Sequence, residues 1–169
     1  ITAFYLPMRK SEIVRLIWNE VDLSDKIGWI RLKDQRTKGG KGGRNIPLHP
    51  SVRLMLETLP RALHTDRVFL NQGPNGLQPI EDIRGAFKTA KDKAGIEDFV
   101  FHDFRHTAVT NLRRAGNAPT VIMKASGHKT LAMFLRYNLV DDEDLRGMKW
   151  TSQSHETEER KVRNRKGER

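Results

Sequence analysis

Two histidines, an arginine and a tyrosine in the second half of the chain together supply groups with which a phenol can attack a phosphodiester without a metal. His102 and Arg105 are three residues apart, so on a helix they project from neighbouring positions of one face. His128 adds another imidazole, and Tyr137 follows nine residues later. The chain has two tyrosines, Tyr5 and Tyr137, which narrows the choice of a phenolic nucleophile. Tyr5, in an apolar segment, is predicted to be buried.

The chemistry at a phosphodiester explains why these residue types belong together. The transition state gathers charge on the non-bridging oxygens, so cations must be placed beside them. Arginine suits that role because its planar fork donates two parallel hydrogen bonds to two oxygens. A phenol, with a pKa of about 10, needs a positive environment or a base before it attacks. The departing sugar oxygen needs a proton donor, which lysine or histidine supplies.

The charge of the chain indicates a polyanionic partner. The formal net charge is +10 and the isoelectric point is about 10.1. Residues 1–150 hold 25 of the 31 basic and 17 of the 21 acidic side chains, so the excess lies in the body and not in the end of the chain. A basic body predicts contact with a phosphate backbone. A basic protein without such a partner remains an alternative on charge alone.

Other features of the composition exclude several classes of site and leave a cytosolic protein as the expectation. The chain contains no cysteine, which rules out disulfides, thiolate metal sites and cysteine nucleophiles. No apolar run approaches the roughly 20 residues of a membrane span, and no signal-peptide pattern is seen. We therefore expect no membrane partner.

Hydrophobic periodicity and turn residues predict a mainly α domain with a small antiparallel β-sheet. Helices are predicted over residues 9–18, 50–58, 80–94, 102–115 and 129–138, with a short one from Pro119. Strands are predicted over 29–32, 45–48 and 67–70, a flexible basic loop over 37–44, and turns over 71–79. Ala90 and Ala94 are assigned to an apolar stripe, and Leu131, Phe134 and Leu135 are predicted to be buried.

Composition also predicts how the chain divides. Residues 1–150 are predicted to form one domain, and the polar, charged residues 151–169 a tail that is disordered or depends on a partner for its structure. The first eight residues are mostly apolar, which is unusual for a free terminus. We therefore expect the sequence to begin inside a longer protein.

The combined motifs resemble the catalytic domain of tyrosine recombinases, the phage-integrase family. The resemblance begins with His102-x-x-Arg105, Gly127-His128 and Tyr137. It extends to the family's first-arginine helix, its lysine β-hairpin and its two later motifs, which are similar to residues 8–23, 37–48, 104–108 and 122–130. It covers roughly residues 5–140, with the motifs in family order, and implies the DNA breakage-rejoining catalytic fold.

The resemblance implies a set of catalytic roles. Arg9 and Arg105 would clamp the scissile phosphate, and Lys38 would protonate the leaving 5′ oxygen. Tyr137 would form a 3′-phosphotyrosyl bond, which conserves the energy of the phosphodiester so that rejoining needs no ATP. Lys33 and Lys41 are alternatives to Lys38 as the general acid.

The histidines complete the implied site. His102 and His128 would assist proton transfer and orient the phosphate. His106 lies four residues from His102 and could be interpreted as half of a metal pair. Because no carboxylate or thiolate set accompanies it, we instead expect His106 to pack or hydrogen-bond within the core. The resemblance implies no metal and no other cofactor.

The function implied is site-specific DNA recombination or integration. The implied partners are double-stranded DNA, further copies of the chain, as a tetramer on two duplexes, and accessory DNA-bending proteins. The implied location is the cytoplasm of a bacterium, on the nucleoid, with a bacterial or phage gene. A type IB topoisomerase-like activity and a catalytically silent DNA-binding remnant of a mobile element are the alternatives.

Two features depart from the family pattern. Leu6-Pro7 stands where the family usually has Thr-Gly, so we expect an altered turn before Arg9. The family's amino-terminal core-binding domain, and the first helix of its catalytic domain, have no counterpart in this sequence. We therefore expect the amino-terminal part of the catalytic domain to be missing.

Overall fold

The computed structural model describes residues 1–33, 43–135 and 142–148. Within these ranges the chain is mainly helical, with two small antiparallel sheets. The helices are α1 (Thr2–Tyr5), α2 (Lys10–Val14), α3 (Pro50–Thr58), α4 (Arg84–Ala94), α5 (Asp103–Arg114), α6 (Pro119–Ser126), α7 (Leu131–Leu135) and α8 (Asp142–Arg146). The strands are β1 (Val21–Asp22), β2 (Trp29–Leu32), β3 (Arg44–Pro47), β4 (Leu70–Gly73) and β5 (Gly76–Pro79), and a 3-10 turn lies at Trp18–Glu20.

The first sheet has the strand order β1-β2-β3. Buried and exposed side chains alternate along β2 and β3, so one face of the sheet is buried. Ile30 pairs with Ile46 across β2 and β3, and both side chains are buried. Leu32 pairs with Arg44 at the end of the ladder, and these two are buried as well. Since side chains alternate between the faces of a strand, this register places the Arg44 guanidinium on the core side of the sheet.

Helix α3 closes the buried face of this sheet. His49 precedes the helix, and its Nδ1 accepts a hydrogen bond from the backbone N–H of Ser51 at 3.2 Å. Pro50 occupies the first turn, where its missing N–H costs nothing. The main core joins the sheet, α2 and α3 through buried side chains, which are Leu6, Met8, Ile13, Leu16, Ile30, Leu32, Ile46, Leu48, Val52, Leu56 and Val68.

A second, smaller core joins α5, α6 and α7 through Val109, Ile122 and Phe134. The start of α5 is held by an aromatic cluster as well. Phe104 contacts Phe99 and Phe101 edge-on, with ring centroids 4.9 and 5.5 Å apart. Packing on both sides of α5 therefore fixes the residues of this helix that could do chemistry.

The structure corrects several predicted boundaries. Of the strand predicted over residues 67–70, Leu70 begins β4, whereas Arg67 forms an isolated bridge with Ile17. The predicted turn region contains the rest of the β4–β5 hairpin. The bridge also ends the helix predicted over residues 9–18 early, because Val68 donates its backbone N–H to the carbonyl of Leu16. Helix α4 begins at Arg84 and not at residue 80, since Ile80 is hydrogen-bonded to Phe69 as an extension of the hairpin.

Three predictions about buried or core-facing residues are wrong. In α7 only Phe134 is buried, whereas Leu131 and Leu135 are about half exposed. In α4, Ala90 and Ala94 are exposed. Each pattern identifies an apolar face, but the described part of the chain covers only a strip of it. Tyr5, also predicted to be buried, is partly exposed and stacks on His49 at 3.8 Å between ring centroids.

The chain divides into two compact units, Ile1–Leu139 and Val140–Arg169. In the second unit the described residues contain α8 and are otherwise a turn. The boundary predicted at residue 150 and the tail over residues 151–169 fall outside the described residues and stay predictions. None of the helices in the described ranges combines the length and the apolarity that crossing a membrane requires.

Two leucines of α3 test how the main core stabilises the fold. Leu56 is 1% exposed and Leu54 is 65% exposed. We expect Leu56→Ala to lower the free energy of unfolding by about 2–5 kcal/mol, because the lost methyl groups leave a cavity, and Leu54→Ala to change it by less than about 0.5 kcal/mol. Urea unfolding of both variants measures the difference. Equal losses would contradict this assignment of the core.

Candidate active site

The Arg105 guanidinium is the centre of the site. It is 3% exposed although it projects from a helix whose outer face is in solvent. Its Nη1 donates to the carbonyl of Pro7 at 2.7 Å, and its Nη2 donates to the carbonyl of Ser126 at 2.8 Å. Nη2 also lies 3.2 Å from Nε2 of His128. Two segments that are distant in sequence, one at Pro7 and one at Ser126 and His128, therefore fix the position of this cation.

The turn before α2 contributes to this arrangement. The carbonyl of Pro7 accepts from Arg105, and the backbone N–H of Met8 donates to the carbonyl of Leu6 at 2.7 Å. Proline restricts the backbone at this point, so the carbonyl has a defined direction. The Leu6-Pro7 sequence, which departs from the family pattern, thus forms a turn that contacts the buried arginine directly.

Arg9 directly precedes α2 as its capping residue and is held by Glu12. Its backbone N–H donates to Glu12 Oε2 at 2.7 Å, and its Nη1 donates to Glu12 Oε1 at 2.9 Å. The Arg9 side chain remains 27% exposed, whereas that of Glu12 is 2% exposed. The buried Glu12 carboxylate therefore anchors the Arg9 guanidinium, which is still accessible to solvent.

His128 has a defined tautomer because arginine can only donate hydrogen bonds. Since Nη2 of Arg105 is the donor, Nε2 of a neutral His128 must be the acceptor, and the ring proton sits on Nδ1. Nδ1 lies 2.8 Å from Ser126 Oγ, and that hydroxyl donates to the carbonyl of Met123 at 3.3 Å. The chain of donors leads from Arg105 and His128 through Ser126 to the backbone of α6.

The surroundings of His128 keep it neutral. Burial lowers its pKa from the ordinary 6.5 to about 4, and the positive charges of Arg105, Arg9 and Arg44 act in the same direction. The pKa of His102 is also lowered, first by burial and then by Arg105, while Asp103 opposes the shift. Arg9 acts on both imidazoles, so the two arginines and two histidines form one electrostatic cluster.

His102 and His106 lie next to each other at the start of α5. His102 precedes the helix, and its ring is edge-on to that of His106 at 5.3 Å. Burial and then His102 lower the pKa of His106. Among the described residues, no group of three or more histidines, cysteines and carboxylates is arranged to hold a metal ion.

The structure thus brings together four of the six predicted site residues, which are Arg9, His102, Arg105 and His128. Lys38 and Tyr137 lie outside the described residues. The strands on either side of the Lys38 segment pair in register as far as Leu32 and Arg44, and the described part of α7 reaches Leu135. Their assignment stays a prediction.

Three residues of the site were missed by sequence reasoning, namely Glu12, Arg44 and Ser126. Arg44 Nη1 and Nη2 donate to the two oxygens of Glu12 at 3.0 and 2.6 Å, with both side chains buried. One signal was present in the sequence. Arg44 is two residues before the buried Ile46, and strand alternation places both on one face.

Comparison with known proteins identifies the family. The model of the phage integrase family matches residues 3–144. The chain belongs to the phage integrase family. It is 29% identical over 141 residues to the integrase of Salmonella phage P22, covering 77% of this chain and 35% of that protein. It is 31% identical over 136 residues to a shufflon-specific DNA recombinase of Escherichia coli, covering 80% of this chain and 32% of that protein. The chain spans about a third of the length of these curated relatives.

Solved structures show the same fold. XerA recombinase superposes with a TM-score of 0.68 at 24% identity, covering 87% of this chain and 54% of XerA. The Tn1549 transposon integrase, solved with circular intermediate DNA, gives 0.61 at 22% identity over 87% and 56% of the two chains. The catalytic domain of bacteriophage HP1 integrase gives 0.58 at 22% identity over 80% and 69%. The predicted family and the predicted fold, mainly α with a small antiparallel sheet, are both confirmed.

Two helix-ending glycines allow the packing at the site to be measured. Gly127 and Gly95 follow α6 and α4 with φ of 75° and 65°. A Cβ on Gly127 would meet Arg44 Nη1 at 3.1 Å, whereas one on Gly95 would meet nothing within 4 Å. We expect Gly95→Ala to lower the free energy of unfolding by about 1–2 kcal/mol through its backbone alone, and Gly127→Ala by at least about 1 kcal/mol more. Chemical denaturation measures both, and equal losses would contradict a tight contact at Gly127.

The lowered pKa of His128 predicts a pH dependence of stability. The unfolded chain takes up a proton at His128 near pH 6.5, whereas the folded chain does so only near pH 4. The free energy of unfolding should therefore fall as the pH is lowered from about 6.5 to about 4, because the unfolded state then binds more protons. His128→Gln should reduce this slope. A His128 imidazole resonance that titrates near pH 6.5 in the folded protein would overturn the prediction.

Proposed function

We propose that the chain is the catalytic part of a site-specific DNA recombinase or integrase that cuts and rejoins DNA through a tyrosine. The observation that carries this proposal is the buried Arg105 guanidinium, which Pro7, Ser126 and His128 orient. Its charge and that of the accessible Arg9 both act on His128. Burying a cation costs free energy unless it is compensated. A pair of arginines held in this way is suited to two oxygens of one phosphate.

In the proposed reaction the phenol oxygen of Tyr137 attacks the scissile phosphorus, and the bond from phosphorus to the 5′ oxygen breaks. The phenol proton leaves to a base, and the 5′ oxygen receives a proton from Lys38. Arg9 and Arg105 stabilise the charge that develops on the non-bridging oxygens. Rejoining is the reverse sequence, with a 5′ hydroxyl as the nucleophile.

The two histidines have different parts in this proposal. His128 accepts a hydrogen bond from Arg105 and is neutral, so it orients the arginine that clamps the phosphate. His102 is exposed at the start of α5, with a pKa below its ordinary value. Its neutral form can accept the phenol proton. The implied assistance to proton transfer is thus assigned to His102 rather than to His128.

The proposed partner is double-stranded DNA, which the net charge of +10 favours. The P22 integrase and the shufflon recombinase are named for integration and recombination. We extend the proposal to action on two duplexes by an assembly of copies, as a tetramer, with accessory DNA-bending proteins. We also propose that the protein acts in the cytoplasm, where it has access to the nucleoid.

The two tyrosines provide the test and its control. On duplexes nicked near the cleavage point the released strand diffuses away, so a covalent intermediate accumulates. We expect the intact chain to form an adduct that survives denaturation, Tyr137→Phe to form none, and Tyr5→Phe to form it normally. Denaturing electrophoresis of a labelled pool of nicked duplexes measures this.

Each other outcome contradicts part of the proposal. An adduct that persists in Tyr137→Phe would show that Tyr137 is not the nucleophile. DNA binding without any adduct would favour the silent DNA-binding remnant. Adduct formation on a single duplex, with relaxation of supercoils and no exchange between duplexes, would favour the activity of a type IB topoisomerase.

A further inference from the structure

Arg44 is a buried cation that the proposed chemistry does not use. It begins β3, directly after the segment that contains Lys38. Its two terminal nitrogens bind both oxygens of Glu12, and its Nε donates to the carbonyl of Ala125 at 2.8 Å. These partners are 32 and 81 residues away in the sequence. One side chain therefore connects β3 with α2 and with the end of α6.

On one side Arg44 acts on Arg9 through Glu12. The Glu12 carboxylate accepts from Arg44 with both oxygens and from the backbone and side chain of Arg9. Burial by itself raises the pKa of Glu12, but the hydrogen bonds and charges of Arg44 and Arg9 bring the pKa below its ordinary value. The carboxylate is therefore ionised, and Arg44 determines where it lies beneath Arg9.

On the other side Arg44 acts on Arg105 through the end of α6. The carbonyl of Ala125 precedes Ser126, whose own carbonyl accepts from Arg105 at 2.8 Å. The next residue, Gly127, lies so close to the Arg44 guanidinium that a Cβ there would meet Arg44 atoms at 3.1–3.3 Å. The segment that holds Arg105 and His128 thus rests on Arg44.

We propose that Arg44 is a positioning residue for strand cleavage: by holding Glu12 and the Ala125–Gly127 segment together, it sets the separation of Arg9 and Arg105. The role rests on the proposed function, since the separation matters because two guanidinium groups must reach one phosphate. Arginine suits this role because one planar fork makes three hydrogen bonds in fixed directions. A lysine ammonium would pair with Glu12 but would not reproduce that plane.

A purely structural role for Arg44 is the competing interpretation, and the variants must separate the two. Replacing Arg44 alone takes both of its hydrogen bonds away from the buried Glu12 carboxylate and leaves it with Arg9, which is destabilising. The double variant Glu12→Gln/Arg44→Gln removes both charges and leaves an uncharged polar side chain at each position. The matched control is Arg53→Gln/Glu57→Gln, which removes an ion pair of 2.9 Å within α3. Arg53 also binds the carbonyl of Leu23 and makes no contact with the site residues named above.

The first measurement is the rate of adduct formation on nicked duplexes. For the Glu12/Arg44 double variant we expect a loss of about 10- to 100-fold, because misplacement of the clamp by an ångström has that effect. We expect DNA affinity to change by less than about threefold, because affinity depends mainly on surface phosphate contacts. The control pair should retain the rate. Equal rates in the two double variants would overturn the proposal.

The second measurement needs no DNA and reports on Arg105 directly. Hydrogen bonds hinder rotation about the Cζ–Nη bonds of a guanidinium, and NMR of the folded protein measures that rotation well below the melting temperature. We expect faster rotation at Arg105 in the Glu12/Arg44 double variant and no change in the control pair. A lower melting temperature with unchanged rotation would establish a purely structural role.

If the double variant does not fold, Arg44→Lys replaces it. The lysine retains a charge beside Glu12 and loses the bond to Ala125, so Arg105 should again rotate faster, and unchanged rotation would overturn the proposal. The two proposals fail separately. If the intact chain forms no adduct, the proposed function fails, and the rotation of Arg105 still decides whether Arg44 positions it.

Discussion

Repulsion between arginines is the constraint on which the rest of the site depends. Arg9 and Arg44 bind the buried carboxylate of Glu12, and the charges of Arg9, Arg44 and Arg105 all act on His128. The three guanidinium groups and the one carboxylate give this group a net charge of +2. Like charges at short range are costly in a poorly solvated interior. The fold offsets that cost with directed acceptors, which are the carbonyls of Pro7, Ala125 and Ser126.

The same positive field determines the state of the imidazoles. Burial and neighbouring guanidinium groups favour the neutral form of His128, and this form can accept a hydrogen bond from an arginine. A cationic imidazole at that place would instead repel Arg105. The Ser126 hydroxyl completes the arrangement, because it accepts a hydrogen bond from the Nδ1–H of His128 and donates one to the carbonyl of Met123. Charge and tautomer are thus consequences of one packing arrangement.

Backbone shape supports the cluster as much as side chains do. Gly127 ends α6 in the left-handed region and leaves room for Arg44, and Pro7 directs a carbonyl at Arg105. The Leu6-Pro7 turn differs from the family pattern and yet supplies the acceptor.

The position of the β-hairpin follows from the same cluster. Arg44 pairs with Leu32 in the ladder and with Glu12 in the core, so the strands on either side of the Lys38 segment are tied to α2. A hairpin anchored in this way has a fixed base, whatever the conformation of its tip. The buried arginine at the start of β3 thus ties the strand that follows the Lys38 segment to the core.

Local features of this protein were determined by the sequence alone. The helix of His102 and Arg105 ends before Gly116 because glycine suits the left-handed conformation there, and the strands around residues 30 and 46 follow from their alternation. The family motifs in order named the site residues, of which the described structure brings four together. Contacts between distant segments required the tertiary structure. The helix predicted over residues 9–18 is shortened by a bridge from Ile17 to Arg67. The exposure of Leu131 depends on which neighbours cover α7. The contacts of Arg44 with Glu12 and Ala125 join residues 32 and 81 positions apart. No local pattern encodes such contacts, because they form only when packed elements leave a buried charge with the acceptors within its reach.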